Sequence, residues 1–261
     1  MQGKSTGVYC NAAEHLVAHR GYAQYFPENT LLAIQSALDV GAKFIEIDIQ
    51  LSADKHPMLF HDRDLMRLCQ ETDAIYNYDL AKLKTFSNYS PDRFGNKYHG
   101  EQIATLAETI ELLKNYPDVT LFVELKRISI EHFSMKEVLD NVLPYLEPII
   151  NQCVVISFSL EILALLRQQS SIVLGAVIDK WNDAETKDFS ILQKINPEYF
   201  FCDIECLPRD GNLNLLSSKI VTYECTDVEL ALKTLERGAT FIETFDIKNM
   251  INKVDASWQK Q

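Results

Sequence analysis

The chain has 261 residues, 47% hydrophobic and 24% charged, with 25 Lys and Arg against 37 Asp and Glu for a net charge of −12. This composition excludes a disordered tail, a collagen and a disulfide-stapled mini-domain, and a chain of this length buries roughly 70–75% of its unfolded surface without staples. The acidic balance and the lack of any basic tract argue against nucleic acid or an anionic membrane as partner, but leave room for a small anionic ligand whose site carries its own cations or a metal.

The opening residues MQGKSTGVYCNAAEH have no apolar core of signal-peptide length. No run of about 18 apolar residues exists to make a transmembrane helix. A soluble, cytoplasmic protein is expected. Residues 16–21 read as a strand, and 30–40 as a helix with Leu31, Ile34 and Leu38 on one face and Gly41 as its stop. Residues 43–51 are the second strand. From about 56 to 104 the polarity is mixed and no long helix is visible. This segment is expected to be an insertion over the C-terminal mouth that does not pair as a ninth barrel strand. Then come a helix over 107–114 with Ile110 and Leu113, a strand over 120–126, and a helix over 136–146 with Leu139, Val142, Leu143 and Leu146. Strands follow at 154–158, 172–178, 199–203 and 219–225. Asp227 caps a helix carrying Leu230 and Leu235 that Gly238 ends, before a last strand at 240–245. Eight strands alternating with helices predict a parallel sheet, and the length favours an α/β fold of the (β/α)8 TIM-barrel kind. The expected organisation is one domain over residues 1–261 with an inserted subdomain at about 56–104, after the second strand.

The six cysteines, Cys10, Cys69, Cys153, Cys202, Cys206 and Cys225, include no CxxC pair and suit a reducing compartment. Cys202 and Cys206 are read as two buried thiols.

Within residues 44–51 the apolar Ile45, Ile47, Ile49 and Leu51 alternate with Glu46, Asp48 and Gln50. Period two puts the two sets on opposite faces of one strand. A solvated edge strand would explain the acids, but so much isoleucine argues for a central strand with its acidic face turned into the barrel. Unpaired carboxylates there are costly. In 120–126, Glu124 and Lys126 share a face. Alone that is an ordinary surface ion pair. Beside Glu46 and Asp48, Glu124 becomes the third oxygen donor of a site for one hard dication, Mg2+ or Ca2+. His19 ends the first strand and His61 ends the apolar run 57–60, both next to the acidic strand. C-terminal strand ends carry the active sites of such barrels, and histidine is the acid or base of neutral pH. His15, His56, His99 and His132 lack that setting and are read as surface residues.

The ordered set His19-Arg20-Gly21, Pro27-Glu28-Asn29-Thr30, Glu46-x-Asp48, His61-Asp62 and Glu124-Leu125-Lys126 resembles the glycerophosphodiester phosphodiesterase family. The likeness covers roughly residues 15–126. The C-terminal half fits more loosely. Tyr223 to Asp227 stands in place of a WTVND-like segment, and Phe241 to Phe245 in place of a terminal strand that usually ends in Thr-Asp. Tyr22, Ala104 and Phe245 stand where the family usually has a small residue, a proline and an aspartate.

The resemblance implies a TIM barrel with a small insertion, and metal-dependent hydrolysis of small glycerophosphodiesters to glycerol 3-phosphate and an alcohol. It implies a divalent cation on Glu46, Asp48 and Glu124. It implies His19 and His61 as the acid–base pair, with His61 favoured as the acid. Arg20 and Lys126 would hold the phosphate, and Tyr223 would face the glycerol or leaving group. Glu28 would lie near the metal or orient His and Arg groups. Arg20 and Lys126 turned onto the acids would partly neutralise a metal-free site, at the expense of groups the phosphate needs. Two alternatives stand beside this reading. One is a lysophospholipase D-like enzyme, with Tyr76, Tyr78, Phe86, Tyr89 and Phe94 either lining an apolar groove or forming the insertion's own core. The other is a non-catalytic glycerophosphodiester-binding protein. The head group, the physiological metal, the attacking hydroxyl (water or the substrate's own glycerol) and the oligomeric state stay open.

Overall fold

The computed structural model describes residues 11–181, 189–213 and 218–260, and Cys10 lies outside them. Its strands are β1 (Leu16–His19), β2 (Phe44–Leu51), β3 (Pro57–Leu59), β4 (Thr120–Leu125), β5 (Cys153–Ser157), β6 (Val173–Ile178), β7 (Tyr199–Asp203), β8 (Lys219–Tyr223) and β9 (Phe241–Thr244). All but β3 run parallel, and the ring closes where β1 pairs with both β2 and β9. This is the (β/α)8 barrel that the alternation predicts. Each barrel strand begins and ends within two residues of its expected range.

The helices are α1 (Leu31–Asp39), α2 (Met66–Cys69), α3 (Leu80–Leu83), α4 (Pro91–Phe94), α5 (Leu106–Leu113), α6 (Arg127–Phe133), α7 (Met135–Leu146), α8 (Leu160–Gln169), α9 (Phe189–Ile195), α10 (Val228–Glu236) and α11 (Ile247–Trp258). Side chains cap several of them as the sequence suggests. Thr30 accepts from the Ala33 N–H at 3.0 Å, Asp227 from the Leu230 N–H at 2.8 Å, and Thr105 with Glu108 forms a capping box. Among the described residues no helix is long and apolar enough to cross a membrane.

Two apolar layers follow from strand alternation. Ile45, Ile47, Ile49 and Leu51 pack outward with Ile34, Ala37, Ile110 and Leu113 of the helices. Val17, Phe122, Val154, Val177, Phe201, Val221 and Phe241 pack inward and fill the barrel. Gly175 makes room for this plug, since a Cβ there would lie 2.8 Å from Ile156 and 3.0 Å from the Phe201 ring.

The 56–104 segment has a core of its own, built on Met58, Phe60, Leu65, Leu68, Ile75, Leu83, Phe86 and Ile103. It contributes a short strand that lies outside the closed ring, so the barrel keeps eight strands as expected. β3 pairs antiparallel with Ile49, Gln50 and Leu51, the tip of β2 that projects past the end of β1. The long β2 leaves edge groups there, and β3 satisfies them. The insertion's aromatics pack within or behind it. Tyr78 meets Phe86 edge-on at 5.1 Å, Phe94 meets Tyr98 at 5.2 Å, Tyr76 stacks on His132 at 4.0 Å, and Tyr89 is buried. His15 is also less exposed than expected, with Nδ1 3.0 Å from the Thr240 carbonyl and its ring against Trp258. Cys202 is buried in β7, but Cys206 is exposed, because Ile204–Cys206 is a 3-10 turn past the strand end.

Candidate active site

Register places the acids. β1 against β2 aligns His19 with Glu46, and β2 against β4 aligns Asp48 with Glu124. Aligned residues of parallel neighbours share a face, here the barrel axis at its C-terminal end. One carboxylate oxygen from each of Glu46, Asp48 and Glu124 lies within 4.8 Å of the others, and all three residues are buried. Glu243 of β9 faces the same cavity. It stands two residues from the inward Phe241 and alternates with Ile242 and Thr244, a period-two signal for its facing.

Cations thread between these acids. Lys126 Nζ is 3.1 Å from Asp48 Oδ1 and 2.9 Å from Glu124 Oε1. Arg20 Nε is 3.1 Å from Asp48 Oδ2, and Asn29 Nδ2 donates to the same oxygen at 2.8 Å. Arg20 Nη1 donates to Glu28 Oε1 at 2.7 Å. Glu28 therefore contacts arginine and stands apart from the carboxylate trio. Arg67 closes the chain by bonding both Glu28 and Asp62, and Asp62 Oδ1 lies 2.9 Å from His61 Nδ1. Gln50 anchors this corner, donating to the carbonyls of Phe60 at 2.9 Å and Asp62 at 2.7 Å.

The turn after β1 aims Arg20. Arg20 and Gly21 have φ of 56° and 80°, and a Cβ on Gly21 would lie 2.7 Å from the Ala33 carbonyl carbon. Only glycine allows that approach, across which the Tyr22 N–H donates to Ala33 O at 2.9 Å. The Arg20 N–H in turn donates to Glu46 Oε2 at 3.2 Å.

The charges do not balance. Four inward carboxylates, Glu46, Asp48, Glu124 and Glu243, face two cations, Arg20 and Lys126. Burial, then repulsion from Asp48, Glu243 and Glu124, pushes the Glu46 carboxyl well above its ordinary range. Burial and Glu124 do the same to Glu243. Asp48 goes the other way: burial opposes ionisation, but Lys126 and Arg20 hold it strongly below the usual range. Glu28, against the same burial, is held down to about 2 by Arg67 and Arg20. Oε1 of Glu46 and Oε1 of Glu243 are buried with no hydrogen-bond partner. Orphaned oxygens, an all-oxygen donor set and a surplus double negative charge suit a hard dication, so the trio can hold a metal.

His19 Nδ1 is 3.1 Å from Glu224 Oε2, and its Nε2 is 3.7 Å from Glu46 Oε2. Its ring stacks on Phe245 with centroids 4.8 Å apart and planes 6° off parallel. Burial, then the nearby Arg20 charge, lowers its pKa below 6.5. His19, Arg20, Glu46, His61, Glu124, Lys126 and Tyr223 all line one cavity of about 90 Å3. Past Phe158 this cavity continues into a groove of about 300 Å3 along Arg63, Arg127 and Asp179. The insertion's aromatics line neither space. Asn29, Arg67 and Glu224 were missed by sequence reasoning, as was the stacking role of Phe245. Arg67 carries no periodic signal, and Glu224 falls within the expected 219–225 strand, whose alternation would turn it away from the Tyr223 face, whereas the strand ends at Tyr223.

A model of the glycerophosphoryl diester phosphodiesterase family matches residues 19–204. Glycerophosphodiester phosphodiesterase 1 of Bos taurus is 29% identical over 173 residues, covering 66% of this chain and 51% of that protein. The glycerophosphodiester phosphodiesterase of Caldanaerobacter subterraneus is 34% identical over 111 residues, covering 42% of this chain and 44% of that protein. The chain thus spans about half the length of the curated relatives it matches. Among solved structures, an Oleispira antarctica phosphodiesterase in complex with the product sn-glycerol-3-phosphate superposes with a TM-score of 0.79. It is 24% identical, over 95% of this chain and 97% of that one. A glycerophosphodiester phosphodiesterase from Thermotoga maritima gives 0.69 at 23% identity, over 91% and 97%. These two likenesses concern the fold.

Proposed function

The chain belongs to the glycerophosphoryl diester phosphodiesterase family, and from that premise we propose that it hydrolyses glycerophosphodiesters to glycerol 3-phosphate and an alcohol. The observation that carries this reading is the joint lining of one cavity by His19, His61, Arg20, Lys126 and the carboxylates Glu46 and Glu124. A phosphodiester needs all three kinds of group: cations for its charge, a base for the nucleophile and an acid for the leaving oxygen.

In the proposed reaction Arg20 and Lys126 neutralise the non-bridging phosphate oxygens, and Tyr223 faces the glycerol or leaving group. His19, kept neutral by burial, takes the proton of the attacking hydroxyl as that oxygen bonds to phosphorus. The bond from phosphorus to the alcohol oxygen breaks, its electron pair stays on that oxygen, and His61 delivers a proton there. Glu46, Asp48 and Glu124 would hold one Mg2+ or Ca2+, which when bound supplies Lewis-acid stabilisation of the phosphoryl oxygens. The groove past Phe158, flanked by Arg63, Arg127 and Asp179, suits a small alcohol, and the insertion's aromatics line neither it nor the cavity.

The proposal extends to the setting. The chain acts as one barrel domain with the 56–104 segment as its inserted subdomain. It works in the cytoplasm, in glycerol and lipid metabolism; Cys69, Cys153, Cys206 and Cys225 remain thiols, as suits that compartment. The test is turnover of glycerophosphocholine, followed as glycerol 3-phosphate release, with and without EDTA. The expected result is turnover that chelation removes and that either divalent cation restores. Binding without turnover would favour a sensor. Full activity in excess EDTA, with no metal retained by elemental analysis, would end the metal-dependent reading.

A further inference from the structure

Arg67 sits on α2, in the insertion, with its side chain 40% exposed. Its guanidinium nevertheless makes four short bonds. Nη1 and Nη2 donate to the two oxygens of Glu28 at 2.8 Å each. Nε and Nη2 donate to the two oxygens of Asp62 at 2.6 and 2.8 Å. One planar fork thus grips two carboxylates in two directions, which a lysine point charge cannot do. Asp62 then meets His61 Nδ1 at 2.9 Å. We infer that Arg67 is a positioning residue for the reaction, fixing the His61 imidazole through Asp62.

Arg67 acts by removing freedom from the His61 side chain. His61 follows a three-residue strand, lies on the cavity rim and is 35% exposed. Such a side chain samples several rotamers at little cost. Asp62 is its chain neighbour and itself partly exposed, so alone it would move with the ring. The Arg67 fork pins both Asp62 oxygens against α2, and Gln50 pins its carbonyl. The Nδ1 contact then sets the ring plane and leaves Nε2 for the substrate, as the carboxylate does in a Ser-His-Asp triad. The insertion's fold is thereby written into the geometry of the reacting group. The Glu28 arm of the same fork acts on Arg20 and the phosphate.

This inference rests on the proposed acid role of His61, so the experiment separates the two. Arg67→Met, which keeps the side-chain stem, and His61→Ala are assayed on two substrates. One is glycerophosphocholine, whose alkoxide leaves only with a proton. The other is the p-nitrophenyl ester of glycerol 3-phosphate, whose phenolate leaves without one. The readout is the ratio of kcat on the nitrophenyl ester to kcat on glycerophosphocholine in a single preparation. That ratio is independent of the folded fraction, and any effect through Glu28 and Arg20 falls on both substrates alike and cancels. His61→Ala is expected to raise the ratio by about 10²-fold or more. Arg67→Met is expected to raise it by about 10-fold or more, the scale of a misplaced acid. A shifted ratio in His61→Ala with an unchanged one in Arg67→Met overturns the inference alone. An unchanged ratio in His61→Ala overturns the acid role and the inference with it.

Discussion

Glu46 and Asp48 stand two residues apart on one strand and face, yet their surroundings push the first carboxyl above its ordinary range and hold the second below it. Asp48 collects Lys126, Arg20 and Asn29, whereas Glu46 receives the Arg20 N–H and keeps one oxygen orphaned. Their variants should therefore differ. Glu46→Gln replaces a carboxyl that resists ionisation with its neutral isostere. It is expected to leave thermal stability almost unchanged while abolishing one-to-one cation binding in a calorimetric titration of chelator-treated protein. Asp48→Asn takes one of two carboxylate partners from each of the buried Arg20 and Lys126, leaving them Glu28 and Glu124, and is expected to cost about 1.5–3 kcal/mol in denaturant unfolding. Equal stability of the two variants would contradict this account. A second prediction concerns pH. Burial penalises protonated His19, so its folded pKa lies below 6.5 and the neutral base persists into mild acid. The acid limb of kcat/KM, lost as pH falls through that pKa, is expected below pH 6.5; a limb centred above it would exclude His19 as the base. Period-two alternation made the carboxylate trio legible in the sequence, because a strand's facing is a local property. Arg67 and Glu224 were not legible, since their roles depend on where loops from distant segments meet.

The β1–α1 turn shows what an element contributes beyond its residues. The sequence placed Gly21 after His19 and Arg20, but not the backbone approach to Ala33 that makes glycine obligatory there. Gly21→Ala combines an unfavourable positive φ with a contact at 2.7 Å. It is expected to lower stability by about 1–3 kcal/mol and to reduce activity through the displaced Arg20. Wild-type stability in urea would show that the turn relaxes freely. Legibility varied among helices for a similar reason. α1, α5, α7 and α10 carry dense apolar faces and caps, and were readable. α11 buries Ile247, Met250 and Val254 at i, i+3 and i+7, a clear helical spacing on an otherwise polar segment that lies past the last expected element. β3 was invisible because three residues make no pattern; its pairing is dictated by the overhang of β2.

The whole molecule carries a net charge of −12, and much of its buried charge is concentrated at the barrel mouth. Folding gathers the inward carboxylates before any ligand offsets them, so a dication binds the native state far better than the unfolded chain. Mg2+ or Ca2+ at about a hundred times its dissociation constant is expected to stabilise the fold by about 2.7 kcal/mol, seen as a rise in Tm that EDTA reverses. Glu46→Gln should abolish that rise. No shift with any divalent cation would remove the metal from this account. The barrel was legible at this scale because eight strand signals alternating with helices leave few topologies, and closure follows from the pairing of first with last.

β2 combines several duties in eight residues: Glu46 and Asp48 for the mouth, Gln50 for the His61 corner, and a tip that binds the insertion. If this strand threads one residue out of step, its isoleucines turn into the mouth and its carboxylates into the apolar layer, while β3 loses its mate. Partial success is thus closed to the chain, because a mis-threaded copy forfeits chemistry and cohesion together. Catalytic output then counts correctly assembled molecules, and an assay of turnover serves as a gauge of folding fidelity.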